Sequence, residues 1–205
     1  MEFRKLMMVC VALLSVTIMM AEAASALFVL EQPQSAPIAG LKIDDQRSKR
    51  SKKSGFLGLK TRAVTYIEDD AFSPSPMGLF ESALASVYTL APQQVVLRTF
   101  DVVDFYPIRM GFLEGEEGGL IKPASMESEL PAAAKLLGPP PANSDFIVCM
   151  IEAEVDGRLI AAAAMAPYRG KPTAFGVYKD PVVVAAVKQA VSDAVRGWTG
   201  RAKTQ

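Results

Sequence analysis

The chain predicts an α+β fold of two layers: an antiparallel or mixed sheet with two amphipathic helices packed on one face, in the order β-β-α-β-(insert)-β-β-α. Three observations carry that prediction. Two segments, one starting at Pro76 and one at Pro181, repeat apolar residues at intervals of three and four, the pattern of a helix with one buried stripe. Two long apolar runs flank Asp156-Gly157, a dipeptide that suits a two-residue hairpin because such turns need positive φ. Further runs rich in Val, Thr and Phe, over residues 60–68 and 94–106, read as strands.

The elements follow in order. Residues 24–36 form a lead-in, extended over Leu27–Leu30, and Pro37–Ile43 reads as a first strand. Asp44 to Gly58 is polar, basic and rich in Ser and Gly, so it reads as a long exposed loop. Lys60–Glu68 alternates, with Val64 and Tyr66 on one face and Thr65 and Ile67 on the other. Ser75 can cap a helix, and Pro76 fits its first position, where no amide donor is required. Phe80, Ala83, Leu84, Val87 and Leu90 then make one stripe of a helix over Pro76–Leu90, which Pro92 stops.

Gln94–Tyr106 reads as a long strand, bulged because Val102 and Val103 break the alternation. Residues 107–145 form an irregular insertion with a short helix at Pro131–Leu137. In the hairpin Phe146–Ala166, the two-residue turn sets Ala153 against Ile160, Ile151 against Ala162 and Cys149 against Ala164. One face is then wholly apolar, with alanines that allow a helix close approach. The other carries Glu152 and Glu154 and is at least partly wet near the turn. Asp180 and Pro181 open the last helix, whose stripe is Val184, Val187, Val191, Val195 and Trp198 and whose partner is the alanine-rich hairpin.

The start of the chain is of a different kind. Arg4 and Lys5 precede an apolar run from Leu6 to Met20, and Ala21-Glu22-Ala23 and Ala24-Ser25-Ala26 follow. A basic start, a short apolar run and an A-x-A site make a secretory signal peptide over residues 1–23, cleaved after Ala23 or, second, after Ala26. A spanning helix needs about 20 apolar residues, and Glu22 interrupts any longer span; retention as an uncleaved anchor is the alternative. Cys10 lies within the apolar run, with Met7-Met8-Val9 before it, so it does not read as a lipidated cysteine.

Residues 24–205 suit a single periplasmic or secreted domain. The whole chain has 22 basic and 22 acidic residues, and the signal removes two of each, so no strongly charged partner is demanded. Cys149 is then the only cysteine left, so no internal disulfide forms; it reads as a small buried hydrophobe. The chain has no histidine, which excludes Ser-His-Asp and Cys-His mechanisms and His-ligated zinc. No cofactor and no metal site is expected, and no phosphate-binding glycine motif occurs.

The candidate binding residues are Arg47, Lys49, Arg50, Lys52 and Lys53, with Lys60 and Arg62 beyond. Closely spaced cations sum at an anionic surface, each worth about 1 kcal/mol at a charged membrane; a solvated loop needs such charges equally. Glu68-Asp69-Asp70 and Glu114, Glu116 and Glu117 lack the spacing of a calcium loop and read as surface turns. Asp101 or Asp104 points inward from its strand and then requires a partner such as Arg98 or Arg109. Tyr168, Phe175, Tyr178 and Trp198 either line a ligand groove near the last helix or belong to the core and its rim.

The run Ile43-Asp-Asp-Gln-Arg47, then a loop with Gly and Lys, a strand and a helix, resembles small bacterial envelope lipoproteins of the uncharacterised or ABC-transport-auxiliary type. The hairpin Ile151-Glu-Ala-Glu-Val-Asp-Gly-Arg158 with its terminal amphipathic helix is similar too. The likeness spans Pro37 to Trp198 and implies a periplasmic α/β domain with two repeated β-α portions. This chain departs from it in lacking a lipobox, so membrane tethering is not implied, and no functional residue carries over.

The expected function is that of a non-enzymatic secreted or periplasmic accessory protein that binds another cell-envelope component, either a protein or an anionic surface. Nucleic acid is not an expected partner, and any membrane contact is peripheral. The alternative is an envelope domain that binds a small ligand or lipid between sheet and helices; a carboxylate-based hydrolase comes third.

Overall fold

The computed structural model describes residues 27–31, 35–47, 64–105, 125–140, 144–169 and 180–204. The signal peptide expected over residues 1–23 lies outside them. Four short strands, β1 (Phe28–Val29), β2 (Asp44–Asp45), β3 (Val64–Ile67) and β4 (Phe72–Ser73), precede three of eleven residues each, β5 (Val95–Phe105), β6 (Asp145–Val155) and β7 (Arg158–Tyr168). The helices are α1 (Pro76–Val87), α2 (Met126–Glu129), α3 (Pro131–Leu137) and α4 (Pro181–Thr204). The fold is α+β, as predicted.

The main sheet runs β2-β5-β6-β7, and β3 also pairs with β5. The outer side of β5 is thus shared: β2 lies parallel to its start at Val96–Leu97, and β3 antiparallel to its end at Val102–Phe105. The sheet is therefore mixed. β1 and β4 form a separate parallel pair.

The hairpin forms in the predicted register, with Ala153 opposite Ile160, Ile151 opposite Ala162 and Cys149 opposite Ala164. Asp156 and Gly157 take φ of 49° and 78°, the left-handed region that this turn requires. Asp156 is held as well: its backbone amide donates to Gln94 O and its carboxylate accepts from the Gln94 amide, both at 2.9 Å. β5 does carry a bulge, but not at Val102-Val103, where its pairing with β6 is regular. Arg98 is the extra residue, between Leu97 opposite Ala153 and Thr99 opposite Glu152.

Both helix caps form as read. Ser75 Oγ accepts from the Gly78 amide at 3.2 Å, and Asp180 Oδ1 accepts from the Val182 amide at 2.9 Å. α1 ends at Val87, a turn earlier than predicted, and leaves Leu90 81 % exposed. α4 lies on β7 and β6, its buried stripe being Val183, Ala186, Val187, Ala190, Val191, Ala194, Val195, Trp198 and Ala202. Val184 is only partly buried, and alanines supply much of the stripe. A Cβ placed on Gly197 would sit 3.7 Å from Ala162 Cβ, ordinary contact distance between helix and sheet. Trp198 is fully buried, 5.0 Å from the Phe80 ring in an edge-on arrangement, and its Nε1 donates to Ile160 O at 3.2 Å.

Two expectations are corrected and one is extended. Pro37–Ile43 is not a strand: Gly40 turns the chain at φ 77°, and Ile38, Leu41 and Ile43 pack on the core without a ladder. Pairing begins at Asp44, inside the segment read as loop. Second, the two predicted amphipathic helices share one face, as expected, but the other face carries helices too. α1 and α4 cover one side, and α2 and α3 cover the far end of the other, where Met126, Leu130 and Ala133 bury Val103, Phe105, Phe146 and Val148. Both neighbours of the Val102-Val103 pair are thus buried, one per face, because this end of the sheet is covered twice. Third, the insertion is irregular only in part. Helix α3 has the predicted bounds, and Ser125 caps α2 before it through the Ser128 amide at 3.2 Å.

Near the hairpin turn the second face stays partly open, as expected. Glu152 and Glu154 are half-exposed there, and Arg98 Nη2 meets Glu154 Oε2 at 2.6 Å.

Candidate functional site

A cleft of about 700 Å³ lies between β1, α1 and α4. Its position follows from three local facts. Phe28 is fully buried, with its ring 5.2 Å from that of Phe72, and this anchors β1 beside the helices. The Leu30 amide donates to Ser73 O at 2.8 Å and extends the pairing by one residue. Side chains alternate along a strand, so Val29 faces away from the core and stands 56 % exposed at the cleft.

The floor is apolar: Leu79 from α1, and Val191 and Val195 from α4, all buried. One rim is polar. Lys188, Ser192 and Arg196 succeed one another at intervals of four on α4 and so share one side of the helix, and all three are exposed. Arg196 Nη2 bonds Asp193 Oδ1 at 2.8 Å. Glu31 stands on the β1 side. The volume falls in the range of small-ligand sites, about 300–1,000 Å³.

A shallower groove of about 550 Å³ lies along the other side of α4, where Met165 and Pro167 of β7 meet Val182 and Ala185. Among the described residues β7 has no strand on its outer side. In a two-residue hairpin the Val155–Arg158 pair bonds inward, so the main chain of Leu159, Ala161, Ala163, Met165 and Pro167 points outward. Two devices blunt this edge. Arg201 Nη1 donates to Ala161 O at 2.5 Å, and Pro167 has no amide to offer a neighbour.

The predicted basic site divides. Lys49, Arg50, Lys52 and Lys53, with Lys60 and Arg62, lie outside the described residues. Arg47 is described, and its charge is engaged internally. Its Nε and Nη2 grip both oxygens of Asp45 at 2.9 Å, and Nη1 bonds Asp69 Oδ2 at 2.8 Å. Its side chain is 17 % exposed. This fork ties β2 to the single turn of 3₁₀ helix at Asp69–Ala71. Bonding to Arg47 holds the Asp45 carboxyl below the usual range, and bonding to Asp45 pushes the Arg47 guanidinium up.

Asp104 is the strand carboxylate that points inward, with no exposed surface. Arg98 is committed to Glu154, and Arg109 lies outside the described residues. The group found on Asp104 is instead the Tyr168 hydroxyl, which donates to Oδ1 at 2.6 Å. Tyr168 and Trp198 therefore belong to the core and line neither of these two clefts, while Phe175 and Tyr178 lie outside the described residues. Cys149 is fully buried, and desolvation, helped by the charge of Asp101, pushes its thiol up.

Among the described residues no group of three or more His, Cys, Asp or Glu is placed to hold a metal ion, and no helix is long and apolar enough to cross a membrane. Sequence reasoning did not find the cleft. Its one legible trace is the series Lys188, Ser192, Arg196 on the polar side of α4, which reads from sequence as a solvated face. No protein-family profile, no characterised protein and no solved structure matches this chain.

Proposed function

We propose that the chain is a non-catalytic binding protein of the cell envelope, which holds a small amphipathic ligand in the cleft between β1, α1 and α4. The observation that carries this reading is the division of that cleft into a buried apolar floor and a polar rim on α4. Such a cavity, mostly apolar with a few polar groups that orient the occupant, is what a small-ligand site requires. The sequence supports a place outside the cytoplasm through its basic start, apolar run and A-x-A sites. It disfavours catalysis by supplying no histidine.

Native mass spectrometry of protein purified from an envelope extract tests the reading. A co-purifying mass of a few hundred daltons, displaced when Ser192 is replaced by Trp, is the expected result. A bare protein mass, with no uptake of added amphiphiles, refutes it.

A second reading, an accessory protein that docks on another envelope component, draws on the uncovered side of β7 and on Leu159, 56 % exposed. Mild crosslinking in the envelope separates the two. A discrete heteromeric band supports docking, and a protein that stays alone counts against it.

A further inference from the structure

We infer that the occupant of the cleft is a free fatty acid: one acyl chain ending in a carboxylate, its head at Lys188. This rests on the ligand-binding reading above and names its chemistry.

The shape points to a chain. The polar rim from Lys188 to Arg196 spans eight residues of helix, about 12 Å at 1.5 Å per residue. Leu79, Val191 and Val195 continue the apolar floor beside it. Val29 lines the same cleft from β1 and is 56 % exposed. A compact polar solute leaves this surface unused. A two-chain phospholipid exceeds a cleft of about 700 Å³. A single extended chain covers the floor and brings Val29 into contact.

The charges place the head. Arg196 is engaged with Asp193. Lys188 is exposed and has no carboxylate within ion-pair distance among the described residues. It is therefore the cation on the rim that remains to be matched. Glu31 on the opposite side repels a second anion and leaves the α4 rim as the place for a carboxylate. A cationic head would be repelled by Lys188 at that rim and drawn to Glu31 across the cleft, so the rim itself selects an anionic head.

The test is isothermal titration calorimetry of the full mature chain with dodecanoate, dodecyltrimethylammonium and a twelve-carbon lysophosphatidylglycerol, each below its micelle concentration. Dodecanoate should bind at least tenfold more tightly than the ammonium amphiphile. Each added methylene between octanoate and dodecanoate should tighten binding, by up to about fourfold where it is fully buried. Lys188→Glu should weaken dodecanoate about tenfold, the size of one lost charge-assisted hydrogen bond. Ser192→Trp should abolish binding of every probe by filling the cleft. Both positions are exposed, so neither change threatens the fold.

Equal affinity for the two opposite heads, or an unchanged Lys188→Glu variant, overturns the fatty-acid inference and leaves the cleft standing. Tenfold preference for the lysolipid overturns it in the same way. Failure of every probe to bind the unmodified protein removes the ligand-binding reading itself.

Discussion

Replacing Ala194 with Leu tests the close approach of α4 to the sheet. Ala194 has no exposed surface, and its neighbours on the stripe, Ala190 and Val191, are equally closed in. Helix and sheet are in close contact beside it: Ala162 of β7 is 1 % exposed, and Trp198 Nε1 reaches Ile160 O at 3.2 Å. Three added carbons have no space to enter, so α4 must lift or side chains must leave their rotamers. Overpacking of this kind costs about 1–3 kcal/mol, and for a chain of this size each kcal/mol lowers Tm by roughly 2–4 °C. The single tryptophan of the chain, Trp198, is fully buried one turn further along the same helix. Its fluorescence is therefore a direct reporter for urea unfolding. Ala185→Leu, on the exposed side of α4, is the control and should change stability by no more than about 0.5 kcal/mol. The midpoint should fall for Ala194→Leu with the slope unchanged. A neutral Ala194→Leu variant, or one no worse than Ala185→Leu, would refute the close packing and with it the role given to the alanines.

Four further outcomes are expected. Gly157→Val should lower stability by about 1–2 kcal/mol, because a side chain with branched Cβ is strained at φ 78°; an unchanged urea midpoint would argue against the tight turn. Native protein should resist a thiol reagent at pH 8, and in urea the count of reactive thiols should be one if the signal peptide has been removed and two if Cys10 remains. With the Cys149 pKa raised, the unfolded thiol ionises first as pH climbs through 9.0. Stability from this group is complete below that value and declines above it, by up to about 1.4 kcal/mol per pH unit; a flat stability curve from pH 8 to 10.5 would contradict the burial. For Asp45, whose pKa is depressed below 3.8, the sign reverses: its stabilisation holds above that pH and is lost as the pH falls further. Arg47→Gln should therefore cost less than about 1 kcal/mol at pH 6, and the gap from the unmodified protein should narrow as the pH is taken below 3.8; a gap of constant width down to acid unfolding would exclude the ion pair as its cause.

The parts of the fold that were legible in the sequence are those set by local rules. The Asp156-Gly157 turn sets the hairpin register because turn length leaves no freedom. The Ser75-Pro76 and Asp180-Pro181 starts are caps that depend on the first helical turn alone. By contrast, the bulge at Arg98 was not marked by the Val102-Val103 pair, which reflects burial on both faces of the sheet and not a register shift. Pro37–Ile43 misled because its apolar residues face the core with no ladder beside them, and periodicity registers burial rather than pairing. Arg47 misled for a related reason: in sequence it is one cation of a basic run, and only the fold brings Asp69, twenty-two residues away, to its guanidinium.

Sequence by itself determined the α+β class, the hairpin and its register and the helix starts, all of them consequences of neighbouring residues. Tertiary structure decided which surfaces meet. It placed α2 and α3 on the second face of the sheet and gave the buried Asp104 a tyrosine partner sixty-four residues away. It also set β1 beside α1 and α4 to open a cleft. The cleft joins residues from 29 to 199 that no spacing rule relates. Its apolar floor looks in sequence like any helix stripe, and becomes a candidate site only where the fold sets Val29, Leu30 and Glu31 beside it.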